Sequence, residues 1–178
     1  MNKLKLISLR TKNLKKKQII SICKLKNSHW EWTVPKQLKW FKKNVKKMDI
    51  NNMLLINDKL IGYTLLRKRK ANQNNFFFAY YYFDSFLLLK KWRKKSFGRV
   101  LMLYNNKILN NLKKHAFLIC PKNMIFFYKK YQWKVLPKSF FKLMDHKPRW
   151  FKNINNVYGM TYMLKKNNKK IFYYLNKT

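Results

Sequence analysis

Apolar and polar positions along the chain alternate with two distinct periods, and the changes of period mark out its elements. Leu4, Leu6 and Leu9 predict a first strand. From Asn13, a residue suited to an N-cap, the spacing changes to that of a helix carrying Ile19, Ile22 and Cys23 on one face. Asn27 to Val34 is a polar-aromatic loop, after which Pro35 opens a second helix in the first turn, where a missing N–H costs nothing. Leu38, Phe41 and Val45 form the apolar side of that helix. A hairpin follows, with strands Met53–Ile56 and Lys59–Leu66 joined by Asn57 and Asp58. Gly62 inside the return strand predicts a bulge or a close backbone approach. Arg67 to Asn75 reads as a polar loop.

The second half of the pattern is organised by a long apolar strand, Phe76 to Lys91, which enters the basic turn Lys90–Gly98. An amphipathic helix, Val100–Lys114, comes out of that turn with Leu101, Tyr104, Ile108 and Leu112 as its stripe. Phe117–Cys120 predicts a buried strand ended by Pro121, Asn123–Tyr131 a short helix, and Trp133–Leu136 another strand. Residues 137–156 show no clean period. Val157–Leu164 reads as a final strand, and residues 165–178 as a basic tail or extra strand. The order β-α-α-β-β-β-α-β-α-β-β points to one α+β domain over residues 1–164, with a mixed sheet flanked by helices.

Composition changes this picture in one respect, which is charge. The chain of 178 residues has 43 Lys and Arg against five acids, a formal net charge of +38, while 47% of its residues are hydrophobic and 17% aromatic. That apolar content excludes a disordered chain. The charge has two readings that stand level: a compositional bias spread over every exposed face, or a polyanionic partner such as nucleic acid. Cys23 and Cys120 sit in apolar surroundings without metal-type spacing and read as buried free thiols of a reducing compartment. The N-terminal stretch lacks the apolar core of a signal peptide, and the Phe76–Leu89 run, interrupted by Asp84 and Ser85, is too short to cross a bilayer. A cytoplasmic protein is expected. His29, His115 and His146 have no ligand-like spacing, so no metal is expected. His115 reads as a helix C-terminal cap.

The turn after the long strand is where chemistry concentrates. A strand, a cationic glycine-ended turn and a helix N-terminus together offer exposed N–H groups and a positive dipole end to a phosphate. Arg93-x-x-Ser96-x-Gly98 resembles the (Gln/Arg)-x-x-Gly-x-(Gly/Ala) signature of the GNAT superfamily of acyl-CoA N-acyltransferases. Downstream, Phe127-Tyr-Lys-Lys-Tyr-Gln-Trp133 is similar to that family's Phe-Tyr-x-x-x-Gly-Phe motif, and Lys59-Leu-Ile-Gly62-Tyr resembles its second hairpin strand. The resemblance implies a three-layer α-β-α fold with a mostly antiparallel sheet, and acetyl-CoA as co-substrate. It implies that backbone groups of Phe86, Leu87 and Leu88 hold the pantetheine arm. The diphosphate would rest on Lys94, Lys95, Ser96, Phe97, Gly98 and Arg99 beside Arg93, and Asn123 would bond the pantetheine. Tyr128 takes the position of the family's proton donor to the departing thiolate, a role suited to a phenol that stays protonated at neutral pH.

Ser96 and Gln132 stand where that family has glycine, so a positive φ at either would add about 1 kcal/mol of strain. For a general base the sequence offers Asp84, whose pKa burial would raise, and then Glu31 in the His-Trp-Glu-Trp loop. Trp30, Trp32, Trp40 and Trp150 either wall an acceptor site or pack in the core. The leading expectation is an N-acyltransferase moving an acetyl or other acyl group to an amine, possibly on an anionic acceptor. The alternatives are a basic nucleic-acid or ribosome-binding protein and a GNAT-like protein that binds CoA without catalysis.

Overall fold

A computed structural model of the chain describes residues 3–30, 32–145, 157–164 and 169–176. The strands are β1 (Leu4–Arg10), β2 (Ile50–Ile56), β3 (Lys59–Gln73), β4 (Phe76–Leu88), β5 (Ala116–Pro121), β6 (Lys134–Leu136), β7 (Phe141–Leu143), β8 (Val157–Tyr162) and β9 (Ile171–Tyr173). The helices are α1 (Lys16–Asn27), α2 (Val34–Asn44), α3 (Phe97–Leu112) and the short α4 (Ile125–Lys129). The chain divides into two compact units, residues 1–67 with 83–107 and residues 68–82 with 108–178. Strands β3 and β4 each run through both.

In the first unit the sheet order is β1-β2-β3-β4, with β1, β2 and β3 antiparallel. The β2–β3 register shifts between Leu54 and Leu55, next to Gly62. A Cβ at Gly62 would lie 2.8 Å from Leu88 Cδ2 and 3.3 Å from Leu101 Cδ2, so glycine is what lets β4 and α3 pack against β3 here. Of the two alternatives expected for Gly62, the register shift matches the bulge, while the close neighbours are side chains rather than backbone. Ile22, Cys23, Leu25 and Phe41 from α1 and α2 pack with Met53, Tyr63, Leu65 and Leu87 in one core cluster. Helix α3 is tied to the sheet by buried polar bonds as well. Asn52 Nδ2 donates to Asn105 Oδ1 at 3.0 Å and Thr64 Oγ1 donates to the same oxygen at 3.1 Å.

The second unit continues β3 and β4 and adds a parallel β4–β5 ladder of two steps, Tyr81 with Ala116 and Tyr82 with Phe117. Antiparallel β5–β8 and β6–β8 ladders follow. β9 pairs with β3 on one side and with β7 on the other. Phe117 stacks on Tyr173 at 4.0 Å between ring centroids, at the centre of a core with Ala71, Tyr80, Leu143 and Ile171. The described strands and helices therefore form the mixed, mostly antiparallel sheet with helices that the pattern predicts.

Several elements differ from expectation. Residues 67–73 are strand, not loop: β3 continues to Gln73 and the turn is confined to Asn74 and Asn75, both at positive φ. Arg67 and Arg69 made the segment look polar, yet both are buried, with Arg69 Nε donating to the Leu175 carbonyl at 2.9 Å. Asn13 does not cap α1; Lys15 takes that place, its N–H donating to Gln18 Oε1 at 2.8 Å. The buried stripe of α3 is Leu101, Met102, Asn105 and Leu109, one position off the predicted Tyr104 and Ile108, which are half-buried. Within the stretch without period, β7 forms, and the expected tail contributes β9. Val157–Leu164 becomes β8, ending at Tyr162.

Candidate active site

The first unit holds the turn and the strand before it. Phe86 is half-buried while Leu87 and Leu88 are buried, and β4 closes as the Leu89 N–H donates to the Ile61 carbonyl at 2.9 Å. The Leu88 carbonyl accepts from Arg93 Nε at 3.3 Å, which fixes the entry to the turn. Lys94 and Ser96 both take positive φ, 61° and 59°. Left-handed residues in such a turn can aim neighbouring N–H groups toward an anion. The Val100 N–H then donates to the Ser96 carbonyl at 3.2 Å, so the N–H groups of Phe97, Gly98 and Arg99 form the open end of a helix 16 residues long. Arg93, Lys94, Lys95 and Arg99 are all exposed around it. Trp92 braces the turn from below, edge-on to Phe97 at 5.2 Å, with Lys91 and Lys95 ammonium groups 5.6 and 5.4 Å from its ring centroid.

The same unit contains a charged cluster that the sequence only half disclosed. Asp84 Oδ2 is 2.7 Å from Arg67 Nη1, and its Oδ1 accepts from Ser85 Oγ at 2.9 Å. Arg67 Nη2 donates to the Asn44 carbonyl at 3.2 Å. Burial would raise the Asp84 pKa, as expected, but the Arg67 guanidinium and the Lys26 ammonium outweigh burial and hold it below the ordinary carboxylate range. The expected rise is thus corrected to a fall. Lys26 is buried at the end of α1, with Nζ 3.6 Å from the centroid of Trp40 and 5.2 Å from that of Trp30. Burial lowers its pKa to about 8 against the opposing pull of Asp84. Two of the four tryptophans proposed for an acceptor wall therefore stack on a buried cation. Neither Arg67 nor Lys26 was singled out from sequence. The available signal for Lys26 was its place on the Ile22–Cys23 face of α1. Glu31 and Trp150 lie outside the described residues.

The second unit holds the other expected participants. Asn123, in a short turn after Pro121, is exposed. Tyr128 on α4 is only 7% exposed, with Phe127 5.3 Å and Trp133 6.2 Å away between ring centroids. Burial, helped by Cys120, pushes its pKa far above the usual phenol value. Gln132 takes a φ of 66°, the left-handed conformation for which the motif has glycine. Trp133 fills the motif's last aromatic position, buried and stacked on Tyr162 at 5.6 Å. His115 lies beyond α3, not at its cap. It is stacked on Tyr80 at 5.6 Å, and burial, with Lys114, lowers its pKa to about 4. Cys23 and Cys120 are free and buried, each pKa raised by burial to about 11. Among the described residues no group of three or more His, Cys, Asp or Glu is placed to hold a metal ion, and no helix is long and apolar enough to cross a membrane.

No protein-family model and no curated protein matches the sequence. Solved structures do match. An acyl-CoA N-acyltransferase from Pseudomonas aeruginosa superposes with a TM-score of 0.64 at 11% identity, covering 89% of this chain and 99% of its own. The ribosomal-protein-S18-alanine N-acetyltransferase from Escherichia coli gives 0.61 at 10% identity, covering 92% and 98%. An aminoglycoside 6'-N-acetyltransferase complexed with coenzyme A gives 0.62 at 12%, covering 91% and 99%. At such identities the likeness speaks for the backbone, and the element order, the two-step parallel ladder and the turn before α3 speak for the same architecture. The chain has the fold of the GNAT superfamily of acyl-CoA N-acyltransferases.

Proposed function

We propose that the protein is an N-acyltransferase that moves an acetyl or other acyl group from acyl-CoA to an amine. The observation that carries this reading is the turn at Lys94–Arg99, where two positive-φ residues and the open end of α3 offer backbone N–H groups among four exposed cations. That donor set suits a diphosphate: several hydrogen-bond donors, positive charge and no carboxylate from Lys90 to Arg99. The match to acyltransferase structures, one of them with coenzyme A, supports it.

When bound, acyl-CoA supplies the thioester whose carbonyl carbon the amine attacks. In the proposal Arg93, Lys95 and Arg99 attract the diphosphate and the N–H groups of Ser96 to Arg99 hold it. Backbone groups of Phe86–Leu88 orient the pantetheine arm, and the exposed Asn123 amide is a further donor to it. Tyr128 delivers a proton to the departing sulfur. Its raised pKa keeps the phenol protonated at any physiological pH, so the O–H is always available to donate to the sulfur as negative charge builds there. Asp84 does not suit the task of a general base. A carboxylate held by Arg67 with a lowered pKa takes up a proton poorly, so in this reading the amine loses its proton to water while Asp84 supplies negative charge.

The test is release of free CoA thiol from acetyl-CoA in the presence of a panel of primary amines and N-terminal peptides. Amine-dependent thiol release supports the transferase. Tight acetyl-CoA binding with no release for any amine would favour a CoA-binding protein without catalysis, which is where strain at Ser96 and Gln132 would leave the chain.

A further inference from the structure

The solvent-facing side of the sheet in the second unit carries aromatic residues and lysines side by side. Ala71, Leu143, Ile171 and Tyr173 point into the core, so their neighbours point out. Register then fixes who stands beside whom. Lys142 pairs with Phe172 across β7 and β9, and Phe172 pairs with Asn72 across β9 and β3. The Tyr174 N–H donates to the Lys70 carbonyl at 3.1 Å, which sets Tyr174 beside Lys70. Phe77 on β4 is 64% exposed, and its ring lies 6.2 Å from that of Tyr174. Lys70 and Lys142 are exposed, as are Met144 and Lys170 at the ends of the same strands. Aromatic and cationic side chains thus stand beside one another on neighbouring strands.

Nothing acidic offsets these cations. The second unit has one carboxylate in its sequence, Asp145, whose two oxygens accept the Leu175 N–H at 2.6 Å and the Asn176 N–H at 2.7 Å. A monomeric protein gains no stability from exposed Phe77 and Phe76 (79% exposed) beside uncompensated lysines. A single-stranded nucleic acid gains from both: its bases stack on ring faces and its phosphates pair with the lysines. An anionic bilayer would fit the charge and the exposed Phe76–Phe77 tip, but Phe172 and Tyr174 lie back on a sheet face interrupted by Asn72 and lysines.

We infer that this face, carried by Phe77, Phe172, Tyr174, Lys70 and Lys142, binds single-stranded nucleic acid. The inference goes beyond the acyltransferase reading and does not depend on it. It is tested with the full chain and a fluorescein-labelled 20-nucleotide oligouridine by anisotropy at several salt concentrations. The pair Lys70→Glu/Lys142→Glu is expected to weaken binding at least tenfold and to lower the salt slope by about 1.4, the value for two phosphate contacts on a single strand. Phe77→Ala is expected to weaken it about tenfold, with Phe77→Trp restoring it. Lys39→Glu/Lys43→Glu on α2 makes the same charge change elsewhere and should cost less than threefold. Equal losses for the two charge-reversed pairs, or no effect of Phe77→Ala, would overturn the inference in favour of diffuse electrostatic attraction. Binding to phosphatidylserine vesicles through Phe77, with no binding of the oligonucleotide, would overturn it in favour of a membrane surface.

Discussion

Burial drives titratable groups toward their neutral forms in both units, and the first unit adds a buried ion pair that resists it. In the first, Asp84 and Arg67 are held as charges in an ion pair at 2.7 Å. Burial there pushes Cys23 and Tyr63 toward their neutral forms and lowers the pKa of Lys26, whose Nζ lies 3.6 Å from the Trp40 ring centroid, to about 8. In the second, His115, Tyr128 and Cys120 are all pushed toward their neutral forms, burial being the first cause for each. Burial alone favours neutrality for every group, so Asp84 departs from that default because the Arg67 guanidinium and the Lys26 ammonium face it.

The comparison can be broken most severely at Arg67. Arg67→Ala leaves the half-buried Asp84 without its guanidinium and is expected to cost about 3 kcal/mol of unfolding free energy, measured by urea titration. Arg67→Ala with Asp84→Asn should recover much of that loss. Failure to recover would mean that Arg67 acts by packing and not by pairing. Next comes Tyr128→Phe, expected to lower turnover about a hundredfold with acetyl-CoA affinity nearly unchanged. Unchanged turnover would remove Tyr128 from the role of donor.

Acid should separate the two units. His115 is neutral in the fold down to about pH 4 but titrates near 6.5 when unfolded, so the unfolded state binds more protons between those values. Stability is therefore expected to fall as pH drops from 6.5 toward 4, and His115→Phe should flatten that part of the curve. Asp84, with its lowered pKa, contributes stability that persists to lower pH and is lost only below the ordinary carboxylate range. Hydrogen exchange followed against pH should show amides around Tyr80 and Phe117 losing protection before those around Tyr63 and Leu65. Simultaneous loss would contradict the contrast.

The smallest expected effect concerns the two turns. Gln132→Gly should stabilise by roughly 0.5 kcal/mol, the relief of a left-handed residue less the added entropy of the unfolded chain. Ser96→Gly should do the same for stability, yet weaken acetyl-CoA binding if the hydroxyl contacts a phosphate. Equal affinity with and without the hydroxyl would make Ser96 a strained placeholder.

Much of this fold was legible because its elements follow clean periods. The long β4, the turn at Arg93–Gly98 and α3 were readable from an apolar run, a charge cluster and a helical stripe, and Gly62 from its place in a strand. Buried charged residues account for the errors at the end of β3 and at Asp84. Arg67 and Arg69 disguised the end of β3 as a loop, since a pattern of polar positions does not reveal an ion pair to Asp84 or a bond to the Leu175 carbonyl. The direction of the Asp84 shift was missed for the same reason, as its partner is 17 residues away. His115 looked like a helix cap because its stacking partner Tyr80 lies on another strand. Ser96 and Gln132 were legible as departures from glycine. Their positive φ values show that these backbone conformations persist without it.

The central claim is that the turn before α3 holds the diphosphate of an acyl-CoA. Calorimetric titration of the full chain with acetyl-CoA, beside Arg93→Glu/Lys95→Glu, tests it most directly. The account predicts saturable one-to-one binding by the unaltered chain and a loss of at least a hundredfold in the variant, with the folded state intact by circular dichroism. Acetyl-CoA binding of equal strength in both, or no binding in either, would contradict it.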